Sequence, residues 1–177
     1  SGISHDLRTP LTRLKLQLAM INDKKISNNM SKDIDEMENM LNDYLQFAKT
    51  QAKENTEKID IKKIFEIIEN KINDSNLKIT INIEISLYGR KNALQRCFTN
   101  VINNGLTYGK KINVNVQKSS NRVIILFDDD GPGIPSEHYR NVFKPFFRLD
   151  KSRSLNKSGV GLGLAIVEDI VHSHGGS

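Results

Sequence analysis

Two runs of apolar residues, stepped alternately by four and three, occupy the first fifty positions and constrain the fold more than any other feature. Leu7, Leu11, Leu14, Leu18 and Ile21 form the first run; Ile34, Met37, Leu41, Tyr44 and Ala48 form the second. Such spacing lays a narrow stripe along one helix face, as in coiled coils. The polar stretch from Asn22 to Asn29 separates the runs and reads as a turn. Ser31, followed by Asp33 and Asp35, is placed to cap the second helix. One helical hairpin cannot enclose a core, whereas two hairpins packed as a four-helix bundle can. The expectation is an antiparallel hairpin over residues 1–52 that forms a homodimer through residues 1–50.

The pattern changes after a polar stretch. Residues 51–58 carry no apolar periodicity, and 53–58 read as a linker to a second domain over 59–177. There, Ile61, Ile64, Phe65, Ile68 and Ile72 mark an amphipathic helix. Ile79, Ile81, Ile83 and Ile85 alternate with polar residues, the period of a half-buried strand. Leu94, Cys97, Phe98, Val101 and Ile102 mark another helix. Ile112, Val114 and Val116 alternate again, and Val123 to Phe127 is a continuous apolar strand. Ile134–Asn141 and Gly161–His174 read as further helices. Strands and helices mixed without regular βαβ alternation predict an α/β sandwich, with helices on one face of a mixed sheet. The whole chain is thus α+β.

Composition narrows the function. The 177 residues suffice for one or two domains with a real core. The formal charge is +5, but the bases are scattered among acids and no basic stripe is interleaved with aromatics, so no nucleic-acid role is expected. A polyphosphate or an acidic protein partner suits that charge. No apolar run approaches the ~20 residues of a membrane helix, and no secretory leader opens the sequence. The single cysteine, Cys97, fits a reducing compartment and reads as a small core residue.

Four segments carry chemistry. Ser4-His5-Asp6-Leu7-Arg8-Thr9-Pro10 sets an imidazole beside a carboxylate, with a hydroxyl one helical turn on. Histidine changes charge near neutrality, which suits a nucleophile or base. Pro10 removes a backbone donor one turn after this group, so a bend is predicted there. Asn100-Val101-Ile102-Asn103-Asn104 places two amides one turn apart, and an amide oxygen is a hard ligand suited to Mg²⁺. Asp128-Asp129-Asp130-Gly131-Pro132-Gly133-Ile134 follows the apolar strand; a carboxylate there can accept from an exocyclic amine, and its glycines admit a ligand closely. Gly159-Val160-Gly161-Leu162-Gly163-Leu164 opens a helix whose N–H groups attract phosphate. Residues 150–158 before it, with Arg153 and Lys157, read as a lid. Taken singly, these segments are equally a surface histidine, solvated asparagines, an Asp/Gly/Pro turn and a surface loop.

Their order, with Phe143-Lys144-Pro145-Phe146-Phe147 between the last two, resembles the sensor histidine kinases of two-component signalling over nearly the whole chain. The segments look like that family's H, N, G1, F and G2 boxes, in wording nearest the EnvZ-like, OmpR-partnered subgroup. The resemblance implies a histidine kinase/Hsp90-like ATP-binding domain after the hairpin, with ATP and Mg²⁺ as cofactors. It implies His5 as the phospho-accepting nucleophile, Asp6 as its base or orienting group, and Thr9 as a positioner of water in dephosphorylation. Asn104, and with it Asn100, would bind Mg²⁺–phosphate, and Asp129 would read the adenine amine. Tyr108, Gly131 and Gly133 would line the nucleotide pocket. Gly159, Gly161, Gly163 and Leu164 would form the lid end and phosphate cradle, with Phe143, Phe146 and Phe147 holding the lid. The implied partner is a response regulator with an OmpR-like receiver, from which the protein also removes the phosphoryl group.

The sequence departs from the family in three places. Thr107 stands where Lys or Arg is frequent, so either one phosphate contact is absent or Lys110 or Lys111 supplies it. Gly105 replaces the usual Ala, at about 1 kcal/mol of helix stability unless closely packed. The chain also begins four residues before His5 and stops at Gly175-Gly176-Ser177. On the resemblance, the upstream part of the first helix and a final strand lie outside it. This predicts a cytoplasmic piece of a longer inner-membrane protein, touching the membrane only through regions absent here. The rivals are an ATPase of the gyrase, Hsp90 or MutL kind, and a degenerate kinase acting as a docking scaffold.

Overall fold

The structure is a computed structural model that describes residues 2–21, 23–50, 54–120, 122–149 and 161–177; the side chains of residues 2–8, 36, 39–40, 42–44 and 46–50 lie outside the description. The chain divides into two compact units, Ser1–Ala52 and Lys53–Ser177.

In the first unit, α1 (Gly2–Leu18) and α2 (Lys24–Thr50) form the hairpin. The helix continues through Pro10, which lies inside α1. The turn is shorter than expected and the cap lies elsewhere. Asp23, not Ser31, starts α2: its Oδ1 accepts from the backbone N–H of Lys25 at 2.9 Å and of Ile26 at 3.1 Å. The signal was present, because the stripe of α2 reads backward through Met30 and Ile26. Ser27 donates its hydroxyl to the Leu18 carbonyl at 3.0 Å and ties α2 to the end of α1. Leu11, Leu18 and Ile34 are buried, with Leu41 against them. Lys15 bridges the helices to Asp35 (2.8 Å) and Glu38 (2.6 Å), which hold its ammonium above the usual lysine range. Leu14 and Met37, on the predicted stripes, stay 42% and 51% exposed in the lone hairpin. Tyr44 and Ala48 fall among the undescribed side chains.

The second unit is a mixed sheet with helices. It comprises β1 (Glu57–Asp60), α3 (Ile61–Ile72), β2 (Leu77–Ile81), β3 (Ser86–Gly89), α4 (Lys91–Tyr108), β4 (Ile112–Ser119), β5 (Arg122–Asp129) and α5 (Gly163–Ser173). β2 pairs parallel with β4, and β4 antiparallel with β5; β1 and β3 form a separate antiparallel pair. Asp60 caps α3 through Lys62 N–H, and Asn73 ends it in the left-handed conformation. Phe65 of α3 stacks on Phe98 of α4 at 4.9 Å, and Phe127 of β5 leans on both, which locks two helices to the sheet.

Three local expectations are corrected. The alternating run 79–85 is not one strand: β2 ends at Ile81 and a new strand begins at Ser86. Ile85 is buried and its carbonyl accepts from Ile61 N–H at 3.0 Å, so the chain has already left the three-stranded sheet. The linker 53–58 is partly structured, since Glu57 and Lys58 pair in β1. Residues 134–141 form only one 3₁₀ turn, Ser136–His138, because Pro135 precedes it and both Ile134 and Val142 turn toward a cavity. As expected of a sheet with helices on one face, β5 turns one side inward. Ile124 and Leu126 remain 39% and 44% exposed, because helices cover just the opposite face.

Candidate functional site

A cavity of about 200 Å³ opens in the second unit, lined by Asn104, Tyr108, Asp129, Pro132, Gly133, Ile134, Val142, Phe147, Arg148, Leu149 and Leu164. Each wall has a local cause. α4 presents Asn104 and Tyr108 four residues apart on one face. β5 delivers Asp129 on the side of Phe127, opposite Ile112 of β4. The Gly131–Ile134 loop leaves the sheet there, and the first residues of α5 bring Leu164.

Asp129 Oδ1 accepts from Gly131 N–H at 2.8 Å. A side chain at 131 would meet that oxygen at 2.6 Å, so the loop folds tightly only with glycine there. The second carboxylate oxygen has no partner among the described residues and is available to an amine. Asn104 is half-buried, and its amide likewise has no partner among them. Apart from Arg148 and the Tyr108 hydroxyl, the rest of the wall is apolar. A carboxylate, an amide and a mainly apolar slot fit a flat, amine-bearing ring with a polar extension.

Two clasps shape the rim. Asp130 Oδ1 accepts from Lys110 N–H at 2.6 Å and from Lys111 N–H at 2.7 Å, tying the turn after α4 to the loop after β5. The backbone N–H of Lys111, then that of Lys110, holds the Asp130 carboxyl below the usual range. On the other side, Phe146 N–H donates to Gly161 O at 2.9 Å. Gly161 has φ +77°, and a side chain there would come within 2.8 Å of Phe147 O, so two independent conditions require glycine.

The sequence-predicted residues distribute as follows. Asn104, Tyr108, Asp129, Gly133 and Leu164 line the cavity, and Gly131 shapes its floor. Asn100 is not in the wall; its Nδ2 donates to Gly163 O at 3.4 Å and links α4 to the start of α5. Phe147 is in the wall, whereas Phe146 is 58% exposed with a left-handed φ of 65°. Gly159 and the lid 150–158 lie outside the described residues. Thr9 is exposed on α1; the side chains of His5 and Asp6 lie outside the description. Thr107 donates to Asn103 O at 2.6 Å, back along its own helix. Gly105 is closely packed: a Cβ there would meet Ile112 Cδ1 at 2.5 Å. Cys97 is buried and its thiol is pushed up to about 12 by burial, which fits the core role read for it. Sequence reasoning did not single out Val142, Arg148 or Leu149, whose placement depends on an irregular segment without periodicity. It also passed over Asp130, whose neighbour Asp129 carried the motif.

Comparison with known proteins agrees with this geometry. Residues 89–177 match the family described as histidine kinase-, DNA gyrase B-, and HSP90-like ATPase, and residues 1–53 match the His Kinase A (phospho-acceptor) domain. The sensor histidine kinase GtrS of Pseudomonas aeruginosa is 36% identical over 99% of this chain and 37% of its own length. The sensor histidine kinase CpxA of Escherichia coli is 34% identical over 99% of this chain and 42% of its own. The chain therefore spans about two fifths of these relatives. Among solved structures, the histidine kinase domain of the E. coli osmosensor EnvZ superposes with a TM-score of 0.53 at 30% identity, over 71% of this chain and 80% of that one. The Acinetobacter baumannii histidine kinase AdeS, at 23% identity, shares the fold with a TM-score of 0.63 over 96% of this chain and 86% of that one.

Proposed function

This chain belongs to the sensor histidine kinases, and we propose that it is a kinase core that phosphorylates its own His5 from Mg–ATP. The observation that carries this reading is the cavity in which Asp129, with one oxygen unpaired among the described residues, faces an apolar slot next to the Asn104 amide.

In this reading Asp129 accepts from the adenine amine, and Ile134, Val142 and Leu164 hold the ring. Arg148 supplies positive charge within the same cavity. Asn104, with its amide unpartnered among the described residues, fits a hard divalent cation; Asn100 sits a turn earlier, and Tyr108 closes the α4 wall. When bound, Mg²⁺ neutralises charge on the transferring phosphoryl group. The protein positions groups and stabilises charge rather than doing covalent work of its own, apart from the nucleophile. His5 attacks the γ-phosphorus in line, the bond to the β-phosphate oxygen breaks, and ADP leaves. Asp6 orients the imidazole or takes its proton. Gly159, Gly161 and Gly163 belong to the segment that brings backbone N–H groups to the phosphates.

The phosphoryl group then passes from His5 to an aspartate of an OmpR-like receiver in a response regulator. Thr9, one turn after His5, positions water when the same face removes it. The hairpin over residues 1–52 provides a homodimer, joined through a short junction to the ATP-binding domain. Relatives more than twice as long and named as sensors support placing the chain as the cytoplasmic part of a longer protein of the inner membrane. Among the described residues no helix is long and apolar enough to cross a membrane.

The test is incubation with γ-labelled ATP and Mg²⁺, beside His5→Gln. Acid-labile label on the wild type and none on the variant is expected. Label that survives in His5→Gln overturns the nucleophile. Free phosphate released without labelled protein overturns the kinase reading in favour of an ATPase.

A further inference from the structure

The segment between the matched regions, residues 54–88, holds an unusual contact. Glu54 is half-buried and reaches across the second unit to the first turn of α4. Its Oε1 accepts from Asn92 N–H at 2.5 Å and its Oε2 from Ala93 N–H at 3.1 Å. Arg90, at the N-cap position of α4, makes no side-chain capping bond, so this remote carboxylate does the capping. A carboxylate there is also favoured by the helix dipole.

Other groups converge on the same turn. His174 at the end of α5 donates from Nδ1 to Ile170 O at 2.7 Å and accepts from Arg90 N–H on Nε2 at 3.0 Å. The Arg90 guanidinium also reaches the Ser173 hydroxyl. The far end of α4 carries Asn104 and Tyr108, while α5 begins at the cavity with Leu164. One end of this helix pair therefore forms the cavity wall, and the other receives the chain arriving from the hairpin.

We propose that Glu54 is a positioning residue, which clasps the junction between hairpin and ATP-binding unit to α4 and so sets the rate of phosphoryl transfer without touching nucleotide. This inference rests on the kinase reading above. Glu54 comes two residues after the hairpin unit ends at Ala52. With the clasp closed, the chain enters the second unit at α4. With it open, the slack extends to β1 at Glu57, and the positional advantage of a short junction falls. Asn92 and Asn104 are twelve residues apart, or about 18 Å along the helix, too far for the clasp to contact bound nucleotide.

The experiment compares the wild-type 177-residue chain with Glu54→Ala and Glu54→Gln. It measures ATP affinity, the initial rate of label transfer at saturating ATP, and exchange of the Asn92 and Ala93 amides. Glu54→Ala is expected to speed exchange at both amides and to hold ATP affinity within about twofold. It should slow labelling roughly fivefold. Glu54→Gln keeps one strong acceptor oxygen and should fall between. Unchanged or faster labelling in Glu54→Ala overturns the inference while leaving the kinase reading intact. Unchanged amide exchange overturns the clasp itself. A parallel loss of affinity, rate and melting temperature makes Glu54 merely structural and also overturns it. A wild-type chain that binds ATP but takes no label overturns the kinase reading and this inference with it.

Discussion

At the scale of single residues, Gly105 shows how a sequence rule and a packing constraint oppose each other. Glycine inside a helix costs about 1 kcal/mol relative to alanine. Here its missing Cβ leaves room for the δ-methyl of Ile112, which is buried in the sheet. Gly105→Ala is therefore expected to destabilise the second unit by about 1 kcal/mol, overpacking outweighing propensity. In an Ile112→Val background, which lacks the obstructing methyl, the same change should stabilise by up to ~1 kcal/mol. Denaturant unfolding of the four proteins of the cycle measures the coupling. A Gly105→Ala effect that keeps its sign in both backgrounds would refute the steric account.

At the scale of elements, Asp130 joins the end of α4 to the loop after β5, and both carry cavity residues. Its carboxyl is depressed below the ordinary 3.8, so the charged form is the one the fold prefers. The stabilisation is complete above 3.8 and is lost as pH falls through the lower folded-state value. Asp130→Asn should lower the melting temperature at neutral pH, and the gap to wild type should close below about pH 3.8. A gap that persists unchanged in acid would show that charge is not what the clasp uses. Elements also explain where the strand readings strayed. Alternation of apolar residues continues from Ile79 to Ile85, yet it serves two different surfaces, because β1 captures the chain at Ser86.

At the scale of the whole molecule, the two units contrast. The second has its own core, with Ile61, Ile64 and Ile102 fully buried. In the first, Leu14, Ile21 and Met37 of the described stripe residues stay uncovered within one chain. That apolar face is what a second hairpin would cover in a four-helix bundle. Sedimentation should therefore find the wild type as a dimer at micromolar concentration, and Leu14→Lys and Met37→Lys as monomers with an unaltered second unit. A wild-type monomer, or variants that remain dimeric, would remove the bundle from the reading.

The sequence by itself determined the parts that depend on local periodicity and side-chain chemistry. The family resemblance, not spacing, singled out Asp129 and Asn104; the 4-3 stripes gave α1 and α2, and the apolar spacing gave α3 and α4. These are properties of neighbours along the chain, and short-range physics sets them. Tertiary structure alone decided the rest. Asp23 capped α2 in place of Ser31 because the helix begins about two turns further back, where Ser27 ties it to the end of α1. Asn100 left the cavity wall for the α5 carbonyl because α5 lies against it. Val142 and Leu149 entered the wall from a segment with no period to read. Glu54 met α4 across 38 residues of sequence. A contact between distant segments depends on how whole elements dock, and no local pattern in the chain encodes that distance.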